Sequence, residues 1–113
     1  MDNDGFDNPV PTPDAYVRKA AAARRTELIA TAARLAEHRP AAEALLAPFL
    51  ARIETGDEAM WGQPLTRAFV ADRGVATLAD GFLQLAGWRT MVSEFMRNGE
   101  DALVVVVERP VVP

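Results

Sequence analysis

Few residues in this chain could do chemistry. His38 is its one histidine, Ser93 its one serine, and there is no cysteine. The missing thiols exclude disulfides, a thiolate metal site and a cysteine nucleophile. Metal binding by nitrogen and oxygen needs clustered ligands, and no HExxH, EF-hand loop or repeated ExxH is present. Ser93 has no histidine nearby in sequence to take its proton. Glu54, Asp57 and Glu58 cluster, but like charges in a connection read as solvated surface. Gly74, Gly81 and Gly87 match no phosphate-binding spacing. His38 falls at the end of a helical segment, where a cation suits the helix dipole. The sequence thus points to no catalytic residue, metal or cofactor. An enzyme would need a site assembled only in three dimensions.

The cations are the next chemistry to weigh. There are 12 Lys and Arg against 16 Asp and Glu, a formal net charge of −4. Arg18, Lys19, Arg24, Arg25, Arg34 and Arg39 fall in the first helical segment. On a helical wheel only Arg18 and Arg25 coincide, whereas tracking a phosphate backbone needs an aligned stripe. The segment around Gly74 loosely has a helix–turn–helix layout, but its second helix is apolar where base-reading side chains should stand. Nucleic acid is therefore the second reading, as the ligand of a small DNA-associated regulator.

Other residues suit contact with another protein. Trp61 follows Met60 in a short connection, where it either folds back on the core or anchors an interface, a role in which Trp is enriched. Arg89 falls within an apolar helical arc, so it either pairs with a carboxylate or is presented to an anionic partner. Phe6 and Val10 could anchor an acidic, Pro-rich arm. Val104, Val105, Val106 and Val107 form an apolar run of high β-propensity.

The elements that would position these residues follow from caps and periodicity. Residues 1–12 lack any period and read as an extended arm. Thr12-Pro13-Asp14 offers a cap, a proline at the first helical position and an acid in the first turn, predicting a helix over 13–38. Pro40 ends it and opens a second helix, 41–55, stopped by Gly56. There Ala42, Leu45, Leu46, Phe49, Leu50 and Ile53 recur at helical spacing, and Pro48 falls on the solvent side. Pro64 to Arg73 reads as a short third helix ended by Gly74.

Thr77 and Asp80 fit a capping box, and Asn98-Gly99 a helix stop, predicting a fourth helix over 77–98. Its apolar arc holds Leu78, Phe82, Leu85, Trp88, Val92, Phe95 and Met96. Phe82, Leu85, Val92 and Phe95 are expected to pack on Leu45, Phe49 and Ile53. Gly81 interrupts the arc, either for close approach of another helix or as local tolerance.

The expected fold is therefore all-α, a small bundle of three to four helices in a single domain spanning 13–99. The arm precedes it, and a tail over 100–113 carries one β-strand, about 102–108. A lone strand leaves its backbone unpaired, so the tail is expected to add to a partner's sheet or to pair across a homodimer axis. The functional expectation is a non-catalytic accessory or interaction protein that binds another protein or itself. A subunit of a larger assembly, a phage-type inhibitor or a virion component would all fit. Eleven arginines against one lysine match GC-rich bacterial or phage coding. The N-terminus is acidic and has no apolar leader, and no run is long enough to span a membrane. A cytoplasmic protein is expected.

Overall fold

The computed structural model describes residues 9–61 and 66–110, apart from the side chains of Phe95 and Arg97. Helix α1, Pro13–Arg34, starts where the Thr12 hydroxyl accepts the Ala15 amide at 3.1 Å. A 3-10 turn, Ala36–His38, joins it to α2, Arg39–Thr55, whose second residue is Pro40. The α2 helix ends at Gly56, whose φ of 72° is left-handed and costs glycine nothing. The Asp57 amide then donates to the Arg52 carbonyl at 3.0 Å. One 3-10 turn, Glu58–Trp61, buries Met60 and Trp61.

Beyond this point the chain is not a helical bundle. It forms a three-stranded antiparallel sheet of order β1-β3-β2, from β1 (Thr66–Asp72), β2 (Thr90–Arg97) and β3 (Glu100–Glu108). Helix α3 (Arg73–Leu85) connects β1 to β2. Since both pair antiparallel to β3, β1 and β2 are parallel to each other. The unit is a β-α-β crossover with β3 inserted between its strands.

The all-α expectation fails at two places. Residues 66–72 of the expected third helix are β1; the period alternates there, with Phe69 inward and Ala68 and Val70 outward. Residues 62–65, which include Pro64, lie outside the described part. The expected helix over 77–98 is two elements. The α3 helix starts earlier, after Asp72, and ends at Leu85, with Gly87 just beyond it at a φ of 101°. Trp88 caps it by donating its amide to the Leu83 carbonyl at 2.9 Å. Asn98-Gly99 is no helix stop. Their φ values of 53° and 81° make the two-residue turn of a β-hairpin, with Arg97 paired to Glu100. Positive φ at both central residues gives a turn whose twist matches the strands it joins.

The core lies between the helices and one face of the sheet. Leu103, Val105, Val107 and Phe69 meet Leu78, Ala79 and Leu83 of α3 and Leu46 and Phe49 of α2. The Phe49 ring meets Phe69, Trp61 and Trp88 edge-on at 5.5, 5.9 and 5.5 Å. Such contacts add about 0.5–1.5 kcal/mol each beyond burial. Of the expected core, Phe49 is buried, while Leu45, Ile53 and Phe82 pack at its margin. Val92 does not join it, because it stands on β2 and is 40% exposed.

Asp80 is the one buried charged side chain among the described residues. It accepts hydrogen bonds from Thr90 Oγ1 at 2.5 Å and Gln84 Nε2 at 2.7 Å, tying α3 to the first residue of β2. Gln84 Oε1 in turn accepts from Arg24 of α1 at 3.3 and 3.4 Å. Gly81 is buried, yet a Cβ there would meet no atom within 4 Å, so no neighbouring backbone approaches it. Gly74 differs: a Cβ would fall 2.6 Å from His38 Nε2. That position is the second residue of α3, not the end of a helix.

Candidate interaction site

The residues singled out in the sequence do not converge. Phe6 lies outside the described residues. Val10 is exposed at the foot of α1. Trp61 takes the core option at 5% exposure, under Phe49 and 6.1 Å from the Trp88 ring. The valine run divides by alternation. Val105 and Val107 are fully buried under the helices, while Val104 and Val106 are half-buried on the opposite face. Both backbone edges of β3 are occupied, by β1 and by β2. The unpaired-strand premise therefore does not hold for this segment.

Arg89 keeps a carboxylate neighbour, Glu108 Oε1 at 3.7 Å, but it is not part of any apolar arc. Its side chain is 85% exposed, so the pair is worth little. Arg89 lines an open groove with Trp88, Arg109 and Pro110, whose other cations are matched: Arg109 bonds Glu58. Among the described residues no three His, Asp or Glu side chains come together.

What the sequence reading missed is β2. Expected to form the buried half of a helix, it is instead the most exposed element of the sheet. Register places Met91 and Ser93 on the outer face, opposite Val106 and Val104, and Val92 and Glu94 on the helix face, opposite Val105 and Leu103. Exposure is 65% at Met91, 40% at Val92 and 63% at Met96. The helix layer thus packs on β1 and β3 and reaches β2 only through Asp80 to Thr90 and Arg73 to Glu94. Edge strands in monomers are usually blunted by proline, lysine, a bulge or an inward charge. β2 has no proline or lysine, and its pairing with β3 runs unbroken from Thr90 to Arg97. Its one inward charge, Glu94, is bonded to Arg73 at the start of α3. That bond, more than the attendant charge, raises the Arg73 pKa above its ordinary value.

β2 also borders an uncovered apolar surface. Ala68 and Val70 of β1, Val104 and Val106 of β3, and Met91 share the outer face by register. The signal for β2 was available: Asn-Gly after a run containing Thr90, Val92 and Phe95 marks a hairpin. No protein-family model, no curated protein and no solved structure matches the chain. Among the described residues no helix is long and apolar enough to cross a membrane.

Proposed function

We propose that this chain is a non-catalytic interaction protein that docks a polypeptide strand along the free edge of β2. The observation that carries the reading is the state of β2: an unbroken edge strand exposed on both faces, with Met91, Val92 and Met96 uncovered. An added strand would pair with the outward-facing backbone groups of β2 and cover these side chains from both sides. Specificity would come from Met91 and the adjoining valine surface on one face, and from Val92 and Met96 on the other. Methionine suits such a surface because its unbranched, polarisable side chain adapts to its neighbour. A cysteine-free chain of this kind suits a reducing, cytoplasmic setting.

The test is a capture experiment in cells that encode the protein. The tagged full-length chain is compared with Met91→Lys/Met96→Lys, whose new charges lie on exposed positions and should leave the thermal midpoint unchanged. A polypeptide retained in stoichiometric amount by the first and lost from the second supports docking at β2, whether that polypeptide is another protein or an untagged copy. Retention undiminished in the double variant places the contact elsewhere and refutes the proposal.

A further inference from the structure

Helix α1 outruns the helix it packs on. The two run antiparallel: the His38 ring, just after α1, abuts Gly74 at the start of α3, and Arg24 hydrogen-bonds Gln84 near its end. α3 stops at Leu85, whereas α1 extends from Arg24 back to Pro13, ~16 Å further. Its apolar seam extends with it. Val17, Ala21, Leu28 and Ala32 fall within roughly 60° of one another at 3.6 residues per turn. Leu28 is buried and Ala32 packs on the core, but Val17 is 62% exposed. The seam therefore overhangs a space that α3 does not fill.

That space opens onto a groove. Two adjoining hollows of about 460 and 250 Å³ share Gly87 and Trp88. Ala21 and Arg25 stand on one side, Leu85 and Trp88 form the floor, and Arg89 and Arg109 stand on the other side. A Cβ at Gly87 would meet nothing within 4 Å, so nothing fills the floor from above. The hydrogen bonds from Arg24 to Gln84 and from Gln84 to Asp80 tie wall to floor at the inner end, so the groove is preformed.

Its charge is opposite to that of the chain, which is −4 overall. Four arginines line the groove against one carboxylate, Glu108. Arg24 and Arg109 are matched by Glu27 and Glu58. Arg25 has no ion pair among the described residues, and Arg89 holds Glu108 only at 3.7 Å. We propose that the groove takes an acidic polypeptide segment of another protein, its apolar side chains covering Trp88 and Val17 and its carboxylates meeting Arg25 and Arg89. This contact is separate from the β2 edge and does not rest on docking there. Arg–carboxylate pairs are strong and directional, and a Trp set among them is a common interface anchor. Open along one side, the groove does not enclose a small molecule as a ligand pocket does, whereas a polypeptide segment needs only one side covered. Asp14 stands one turn outward of Val17, so the carboxylates of the segment belong at the inner end, toward Arg25 and Arg89.

Nuclear magnetic resonance of the full ¹⁵N-labelled chain tests this with a capped peptide, Asp-Glu-Phe-Leu-Glu-Asp, as the probe. The peptide should shift the Trp88 indole N–H and the Arg25 and Arg89 Nε–H signals saturably, with a Kd on the order of 0.1–1 mM. Its neutral isostere, Asn-Gln-Phe-Leu-Gln-Asn, should bind about tenfold more weakly, a difference of about 1.4 kcal/mol. Arg25→Glu, at an exposed position, should leave the thermal midpoint unchanged, weaken the acidic peptide about tenfold and bind Lys-Lys-Phe-Leu-Lys-Lys better than the wild type does. Val17→Asp should weaken the acidic peptide without altering the fold. No saturable shift at Trp88, equal binding of the neutral peptide, or an Arg25→Glu chain that binds the acidic peptide as tightly as the wild type overturns the proposal. Shifts confined to the amides of residues 90–97 overturn it too, while leaving docking at β2 intact.

Discussion

Replacing Gly81 and Gly74 by alanine, one at a time, puts the same methyl group on the same helix in two different surroundings. At Gly81 an added Cβ meets nothing within 4 Å. The change then gains only what alanine gains over glycine inside a helix, roughly 0.8–1.0 kcal/mol. For a domain of this size that is a rise in Tm of about 4 °C. At Gly74 the Cβ would sit 2.6 Å from His38 Nε2 and 2.8 Å from Cδ2. Overpacking of this kind costs about 1–3 kcal/mol, and the gain in propensity offsets part of it, leaving a net loss of about 1 kcal/mol. The imidazole is the obstacle, so Gly74→Ala in a His38→Ala background should be neutral or stabilising. Urea unfolding followed by far-UV circular dichroism gives all the required free energies. Gly74→Ala stabilising the wild type as much as Gly81→Ala, or costing the same with and without His38, would refute the packing of the 3-10 turn on α3.

Four further substitutions probe the core and the parts that hold β2 in place. Phe49→Ala removes a ring in edge contact with Phe69, Trp61 and Trp88 and should cost about 3–5 kcal/mol, read as a lower urea midpoint. Asp80→Ala leaves Thr90 and Gln84 without their shared acceptor; the expected loss is about 2 kcal/mol, with amide exchange near Thr90 accelerated more than in α2. Gly99→Ala forces a side chain to a φ of 81° in the hairpin turn and should cost about 1–2 kcal/mol, again by urea unfolding, while Asn98→Gly should cost far less.

The first half of the chain was legible because its signals are local. Thr12-Pro13-Asp14 caps α1 and Gly56 closes α2, whatever lies elsewhere in the molecule. The second half turns on choices that local signals leave open. Leu78, Phe82, Leu85, Trp88, Val92 and Phe95 keep helical spacing through Gly87, so the apolar period runs past the true end of α3. Gly87 and Asn98-Gly99 compete for the stop, and the positive φ at both Asn98 and Gly99 marks the latter as a hairpin. The valine run reads as a strand, but nothing local shows where its two neighbours come from. Within the chain, Thr66–Asp72 and Thr90–Arg97 supply them. Tertiary pairing overrode a weak helical preference in both segments. The candidate site inherits that error: Val105 and Val107 became core, and the exposed strand lay in a stretch expected to be buried.

Amide hydrogen exchange along β2 tests docking at this edge most directly. At low concentration and without a partner, the amides of residues 90–97 that do not face β3 should exchange within seconds, since nothing in the described chain covers them. Raising the concentration of the full chain, or adding a captured partner, should slow those amides selectively and leave the exposed first half of α1 unchanged. Fast exchange at these amides under every condition, with protection appearing on another surface instead, would contradict docking at β2.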